Sequence, residues 1–184
     1  MSSIIVKQKP IKILLVGLDN CGKTSIILSL RESTSVKSLD SPKPTLGVNI
    51  ENFEYKNQVI SLWECGGTET YRNKYLENFH KYFGMTDKLL FIVDVQDRIR
   101  YDLALDYLEK IIKLLEKERK SPTLSILLHK YDPNITEQQE FKNLHKDLNL
   151  TVIKQIRKII PSNINYTILK TSIYTDLKEV IFDI

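Results

Sequence analysis

The residues Gly17-Leu18-Asp19-Asn20-Cys21-Gly22-Lys23-Thr24 fit the spacing G-x-x-x-x-G-K-[ST]. Glycines at this spacing let successive backbone N–H groups turn inward as a nest for an anion, and a helix starting there adds its positive dipole end. The chemistry predicted is phosphate binding. Asp19, Asn20, Cys21, Gly22 and Ser25 belong to the cradle, Lys23 reaches the β- and γ-phosphates, and the Thr24 hydroxyl binds Mg²⁺. The competing reading is a chance match, and the position of the segment between an apolar strand and a helix argues against it.

A phosphate loop by itself leaves ATPases, nucleotide kinases and GTPases open. His129-Lys130-Tyr131-Asp132 narrows the field. A carboxylate such as Asp132 can accept hydrogen bonds from both the ring N–H and the exocyclic amine of guanine, while the Lys130 stem packs on the ring face. Adenine lacks that pair of donors. Thr171-Ser172-Ile173 then offers a backbone N–H to the guanine oxygen. Each signal alone is equally compatible with an ordinary surface Lys–Asp pair, but their order and spacing after the phosphate loop favour guanine.

Together these segments resemble the Ras-like small GTPases over essentially the whole chain, nearest the Arf and Rag (Gtr) branches. Gly17-Leu18-Asp19-Asn20 and Pro44-Thr45-Leu46-Gly47-Val48-Asn49 resemble the Arf phosphate loop and switch I. Leu62-Trp63-Glu64-Cys65-Gly66-Gly67, His129-Lys130-Tyr131-Asp132 and Lys170-Thr171-Ser172-Ile173-Tyr174 are more similar to Rag, including His129 where most Ras-like proteins carry Asn. The resemblance implies GTP/GDP and Mg²⁺ as cofactors, with His129, Lys130, Asp132, Ser172 and Ile173 around the base. It further implies that Thr45 binds Mg²⁺ through its hydroxyl and the γ-phosphate through its N–H, and that Gly67 gives a second N–H to that phosphate. Both loops are then held only while the γ-phosphate is present. Glu64 stands where the family has Asp near Mg²⁺, a contact expected to run through a water.

The implied catalytic set is Lys23, Thr45, Gly67 and Thr68. Thr68 departs from the family, which carries there the Gln that orients attacking water. Phosphoryl transfer depends almost entirely on positioning and electrostatics, and a Thr hydroxyl is too short to do that work from the same backbone. The expected protein is a GTP-binding switch with slow intrinsic hydrolysis, regulating signalling or trafficking through switch I and II. The alternative is a G-domain scaffold locked on GTP or GDP without turnover. A metabolite kinase lacks support, because no second substrate site or Arg-rich lid is visible. The partners implied are an effector, an exchange factor and a GTPase-activating protein, and the likeness to Rag adds dimerisation with a related G-domain.

The elements that must position these loops alternate along the chain. Lys12–Val16 reads as a buried strand and Lys23–Glu32 as a helix, followed by a polar loop over Ser33–Pro44. Ile50–Tyr55 and Gln58–Glu64 alternate apolar and polar residues around Lys56-Asn57, as in a β-hairpin. Thr70–Phe83 reads as irregular and then helical. Lys88–Asp94 and Thr123–Leu128 are near-continuous apolar strands of the kind buried on both faces of a parallel sheet. Tyr101–Lys120 is an amphipathic helix, apolar at Leu105, Leu108, Ile111, Ile112 and Leu115. Thr136 with Gln139 resembles a capping box opening a helical stretch that breaks near Asn149 and ends by Pro161. Asn165–Leu169 is a last strand and Tyr174–Ile181 a short closing helix. The fold class is therefore α/β: a P-loop NTPase G-domain, its six-stranded sheet mostly parallel with one antiparallel edge strand, and helices on both faces. Ligands bind such sheets at the carboxyl ends of the strands. Of the loops there, the one after Asp94 alone carries no signature.

Composition sets the limits around that reading. The chain has 184 residues, 27 Lys+Arg against 23 Asp+Glu, and 42% hydrophobic residues. That is one domain's worth, residues 1–184 with 1–10 as an N-terminal extension, and enough to bury a core. Apolar runs such as Ile11–Leu18 and Leu89–Val95 are far shorter than the roughly 20 residues of a membrane span. No signal peptide is expected, since Met1–Pro10 holds only a short apolar patch before Lys7 and Lys9, and no direct lipid anchor, since position 2 is Ser and the sequence ends Phe182-Asp183-Ile184. Two cysteines make no disulfide framework, so a cytoplasmic protein, peripheral at membranes through partners, is the expectation. The net charge of +4, without a basic stretch interleaved with aromatics, argues against nucleic acid. Cys21 and Cys65 read better as small tolerated residues than as a redox pair, and His80 and His145 lack metal-ligand spacing. Lys110–Lys120 reads as a solvated helix face. Tyr71, Tyr75 and Phe79 either form an effector surface or pack the helix that follows switch II.

Overall fold

The computed structural model describes residues 9–30 and 45–174. Its strands are β1 (Ile11–Gly17), β2 (Val48–Tyr55), β3 (Gln58–Cys65), β4 (Lys88–Asp94), β5 (Thr123–His129) and β6 (Tyr166–Lys170). Its α-helices are α1 (Lys23–Ser29), α2 (Glu69–Glu77), α3 (Phe79–Phe83), α4 (Tyr101–Lys117), α5 (Leu144–Leu148) and α6 (Lys154–Ile159). The strands form one sheet in the order β2-β3-β1-β4-β5-β6. All neighbours are parallel except β2 and β3, which pair antiparallel at the edge. The hairpin between them turns on Lys56 and Asn57, at φ 49° and 62°. Two successive left-handed residues are what a tight two-residue hairpin with the native strand twist requires.

Alternation along the strands decides which face each helix covers. Leu14 and Val16 of β1, Leu89, Phe91 and Val93 of β4, and Leu124, Ile126 and Leu128 of β5 join the larger core beneath α2 to α6. Leu15, Ile92 and Leu127 point the other way and meet Ile27 of α1 in a smaller cluster with Cys21 and Leu62. In α4 the residues Leu105, Leu108, Ile111, Ile112 and Leu115 are all buried, as their helical spacing predicts.

Three local expectations give way. The segment after Gly67 is helical from Glu69 onward, without an irregular lead-in; Arg72 N–H already bonds the Thr68 carbonyl at 2.9 Å. Thr136 and Gln139 do not open a helix: they lie in two short 3₁₀ turns, Ile135–Glu137 and Gln139–Phe141, and the helix starts at Leu144. Burial of Ile135 and Phe141 against the core sets those turns in place of a capped α-helix. Near Asn149 the chain widens into a π-turn over Asn149–Ile153 rather than breaking, and α6 follows directly. The Ser33–Pro44 loop and, past Tyr174, the Tyr174–Ile181 helix lie outside the described residues.

Candidate functional site

The carboxyl ends of β1, β3, β4 and β5 and the loop after β6 surround a cleft of about 520 Å³. The phosphate-type loop forms one end. Gly22 caps α1 at φ 91°, and a Cβ there would lie 2.5 Å from His129 Cδ2 and 2.7 Å from Nε2. Only glycine combines that left-handed backbone with an imidazole packed against it. The Lys23 side chain is buried, its ammonium donating to the Leu18 carbonyl at 2.6 Å and lying 3.4 Å from that of Gly17. Asp19, Asn20, Gly22, Thr24 and Ser25 all line the cleft.

Three oxygen-bearing side chains converge beside Lys23. Glu64, buried at the end of β3, accepts through Oε1 from the Thr24 hydroxyl at 2.5 Å and the Thr45 hydroxyl at 2.9 Å. The two hydroxyl oxygens are 3.3 Å apart. The donor set is hard oxygen throughout, two hydroxyls and a carboxylate, which suits Mg²⁺ better than a softer metal. The Glu64 carboxylate reaches both hydroxyls directly, one methylene longer than the expected Asp.

Gly67 lies against the loop. Its carbonyl accepts from the Asp19 N–H at 3.0 Å, and a Cβ on it would meet backbone atoms of Leu18 and Asp19 at 2.2 Å. Buried Arg72 donates to the same Gly67 carbonyl at 2.6 Å, and Arg100 bonds both the Asp19 carboxylate (3.1 Å) and its carbonyl (3.2 Å). Gly66 N–H and the Tyr75 hydroxyl both reach the Gly47 carbonyl at 2.8 Å, so the segments around Thr45 and Gly67 are stitched together. Tyr75 and Phe79 are therefore buried packing residues, whereas Tyr71 is only partly covered. Thr68 is exposed at the start of α2, lines the cleft and makes no capping hydrogen bond with its side chain.

At the other end stand Lys130, Asp132 and Ile173. Lys130 has φ 59°, and its ammonium bridges the Asp94 carboxylate at 2.6 Å and the Asn20 carbonyl at 2.8 Å, tying β4 and β5 to the phosphate-type loop. Asp132 accepts from the Ser172 hydroxyl at 2.5 Å and from the Gln96 amide at 2.9 Å. His129 is buried with Nδ1 3.0 Å from the Thr171 hydroxyl; burial first, and then the Lys130 charge, lower its pKa, so the ring is neutral at pH 7.

Thus Asp19, Asn20, Gly22, Lys23, Thr24, Ser25, Thr45, Glu64, Gly67, Thr68, His129, Lys130, Asp132 and Ile173 share one cleft. Cys21 and Ser172 do not line it. The Cys21 side chain turns into the α1-side core, which leaves its backbone N–H as what it can offer a ligand. Ser172 acts on the cleft through Asp132. Burial pushes both thiols up, Cys65 to about 12, which makes neither a ready thiolate. Among the described residues no group of three or more His, Cys, Asp or Glu side chains comes together to hold a metal ion, so the hydroxyl–carboxylate set around Glu64 is of a different kind. Sequence reasoning missed Gln96, Arg72 and Arg100. The first follows β4 in the loop without a signature, and the arginines carry no spacing that singles them out.

The family model described as "ADP-ribosylation factor family" matches residues 1–180. ADP-ribosylation factor-like protein 2 of Arabidopsis thaliana is 40% identical over 68% of this chain and 63% of its own length. The Drosophila melanogaster protein of the same name is 33% identical over 75% and 70%. ADP-ribosylation factor F of Dictyostelium discoideum is 31% identical over 71% and 64%. The alignments thus span about two thirds of the length of these curated relatives. In fold, the chain is similar to the Arl6 BBS3 small GTPase from Trypanosoma brucei, with TM-score 0.62 and 19% identity over 90% of this chain and 88% of that one. It is also similar to the mammalian SRP receptor structure, with TM-score 0.62 and 17% identity over 88% and 91%. Of the two branches that the loops resemble, the matching model is that of Arf, and the chain belongs to the ADP-ribosylation factor family.

Proposed function

We propose that the cleft binds GTP and GDP with Mg²⁺ and that the protein is a molecular switch with slow intrinsic GTP hydrolysis. The observation that carries this is one cleft with a phosphate-type loop at one end and, at the other, a carboxylate able to accept two guanine donors. In this reading the N–H groups from Asn20 to Ser25 would hold the phosphates, with Asp19 N–H kept on the Gly67 carbonyl, while Lys23 must leave the Leu18 carbonyl to meet them. Asp132 reads the guanine edge and the Lys130 stem covers its face.

Thr24, Thr45 and Glu64 would hold Mg²⁺, which when bound neutralises phosphate charge. Thr45 and Gly67 are the residues whose N–H groups would sense the γ-phosphate. Gly67 is bonded to Asp19, Gly66 to Gly47, and Tyr75 to Gly47, so movement at one segment is felt at the other. That coupling is what a switch needs. Effectors, exchange factors and activating proteins would read the same two segments, and attachment to membranes would come through such partners; pairing with a related G-domain belongs to the same proposal.

Slow hydrolysis rests on Thr68. An exposed, short hydroxyl gives attacking water less positioning than a Gln amide from the same backbone. Single-turnover cleavage of bound GTP tests it: Thr68→Gln is expected to be at least about tenfold faster than the natural protein, a gain of about 1.4 kcal/mol in barrier. Equal rates would remove Thr68 as the cause. The second reading, a locked scaffold, is favoured by the same residue, and is distinguished by GTP that persists unchanged over a day in Mg²⁺.

A further inference from the structure

We propose that Gln96 is a positioning residue for base selection: its side-chain amide holds the Asp132 carboxylate in the orientation that accepts two donors from guanine. The inference rests on the guanine-nucleotide reading above and adds to it a residue from the loop after β4.

The topology explains why Gln96 is there. β4 and β5 are parallel neighbours with Asp94 opposite His129, and the ladder runs one step further through Val95 N–H to the His129 carbonyl at 3.0 Å. The residue two places past Asp94 must then lie beside the residues that follow His129. Gln96 is half-buried and lines the cleft. Its own N–H bonds Asp94 Oδ1 at 2.9 Å, while Asp94 Oδ2 pairs with Lys130. The loop carrying Gln96 is thereby fixed to the end of β4 and, through Asp94, to Lys130.

An amide NH₂ has two hydrogens, and Gln96 uses both. Nε2 donates to the Lys130 carbonyl and to Asp132 Oδ2, each at 2.9 Å. The first bond braces a lysine whose left-handed φ of 59° is costly for a residue with a Cβ. The second fixes one carboxylate oxygen of Asp132, and the Ser172 hydroxyl fixes the other from the loop after β6. A carboxylate has about four acceptor positions. The protein takes one on each oxygen, which leaves one on each for the two hydrogens of a guanine edge. The terminal torsion of Asp is broad by nature, so without Gln96 the carboxylate is held from one side only and its plane can turn. Turning sacrifices one of the two base contacts before it sacrifices binding itself.

The consequence is a loss of discrimination beyond any loss of affinity. Inosine diphosphate is the probe, because it lacks the exocyclic amine and offers Asp132 one donor fewer than GDP does. Dissociation constants for GDP, inosine diphosphate and ADP are measured with Mg²⁺ on the full chain and on Gln96→Met, which keeps side-chain length and removes both hydrogen bonds. The natural protein is expected to prefer GDP over inosine diphosphate by at least about tenfold, the worth of one charge-assisted hydrogen bond. Gln96→Met is expected to lower that ratio about fivefold or more. Where thermal unfolding shows that Gln96→Met does not fold, Gln96→Asn, whose shorter amide cannot span both acceptors, carries the same expectation. A ratio unchanged from the natural protein, even with both nucleotides weakened equally, would make Gln96 a structural brace and overturn the proposal alone. A natural protein that binds ADP as tightly as GDP would overturn the guanine reading as well.

Discussion

Glycines at the site differ in what they are asked to do, and the difference is measurable. Gly22 and Gly47 both have left-handed backbones, at φ 91° and 73°. Around Gly47 a Cβ would meet nothing within 4 Å, whereas at Gly22 it would press into the His129 ring. Gly47→Ala is therefore expected to cost about 1 kcal/mol, the backbone penalty alone. Gly22→Ala adds steric displacement of a buried imidazole and is expected to cost about 2–4 kcal/mol. Chemical denaturation of the two variants checks the order, and equal effects would mean that His129 yields easily. The same scale separates Thr68 from Glu64. Glu64 is buried with two hydroxyl partners, so its carboxylate is held in place, while Thr68 is exposed with nothing on its hydroxyl from the helix it precedes. In the proposed GTPase, a side chain so placed is where catalytic rate can be set without disturbing the fold.

At the scale of elements, His129 ends β5 and packs on the turn into α1, so its titration reports on how those two elements fit. Burial and the Lys130 charge depress its pKa in the folded protein below the usual value near 6.5. The folded state then binds fewer protons than the unfolded one as pH falls below that value. His129 thus contributes stability in full above about pH 6.5, and that stability is lost as pH falls through the unfolded and then the folded pKa. The melting temperature is expected to drop between pH 7 and 5, and His129→Asn to remove part of that drop; an identical pH profile in the variant would assign the acid sensitivity to other groups. Elements of this kind were largely legible in sequence. Apolar runs gave β1, β4 and β5, alternation gave the β2–β3 hairpin, and the spacing of Leu105 through Leu115 gave α4. The helix expected from Thr136 failed because tertiary burial of Ile135 and Phe141 outweighed a local capping pattern. Most of the residues lining the candidate cleft were legible because motif spacing and strand ends coincide. Gln96, Arg72 and Arg100 were not, since their roles exist only once β4, α2 and the loop before α4 meet Asp132, Gly67 and Asp19.

Across the whole molecule, the cleft exists because parallel strands all end on one side. β1, β4 and β5 run together at the centre of the sheet, with β3 beside β1 and β6 beside β5. In the proposed reading the loop after β1 binds phosphate and the loops after β5 and β6 read the base, and the sheet sets the distance between them. Bonds across the cleft, Lys130 to Asn20 and Arg100 to Asp19, make those loops one assembly. Among the described residues no helix is long and apolar enough to cross a membrane. Membership of the ADP-ribosylation factor family and the shape of the cleft both support the proposed guanine-nucleotide switch. The most direct test of that account is to purify the protein, release its bound nucleotide and identify it by chromatography, then repeat after loading with GTP and Mg²⁺. The account predicts guanine nucleotide in both samples, with loaded GTP turning slowly into GDP. Adenine nucleotide, or no nucleotide retained after loading, would contradict it.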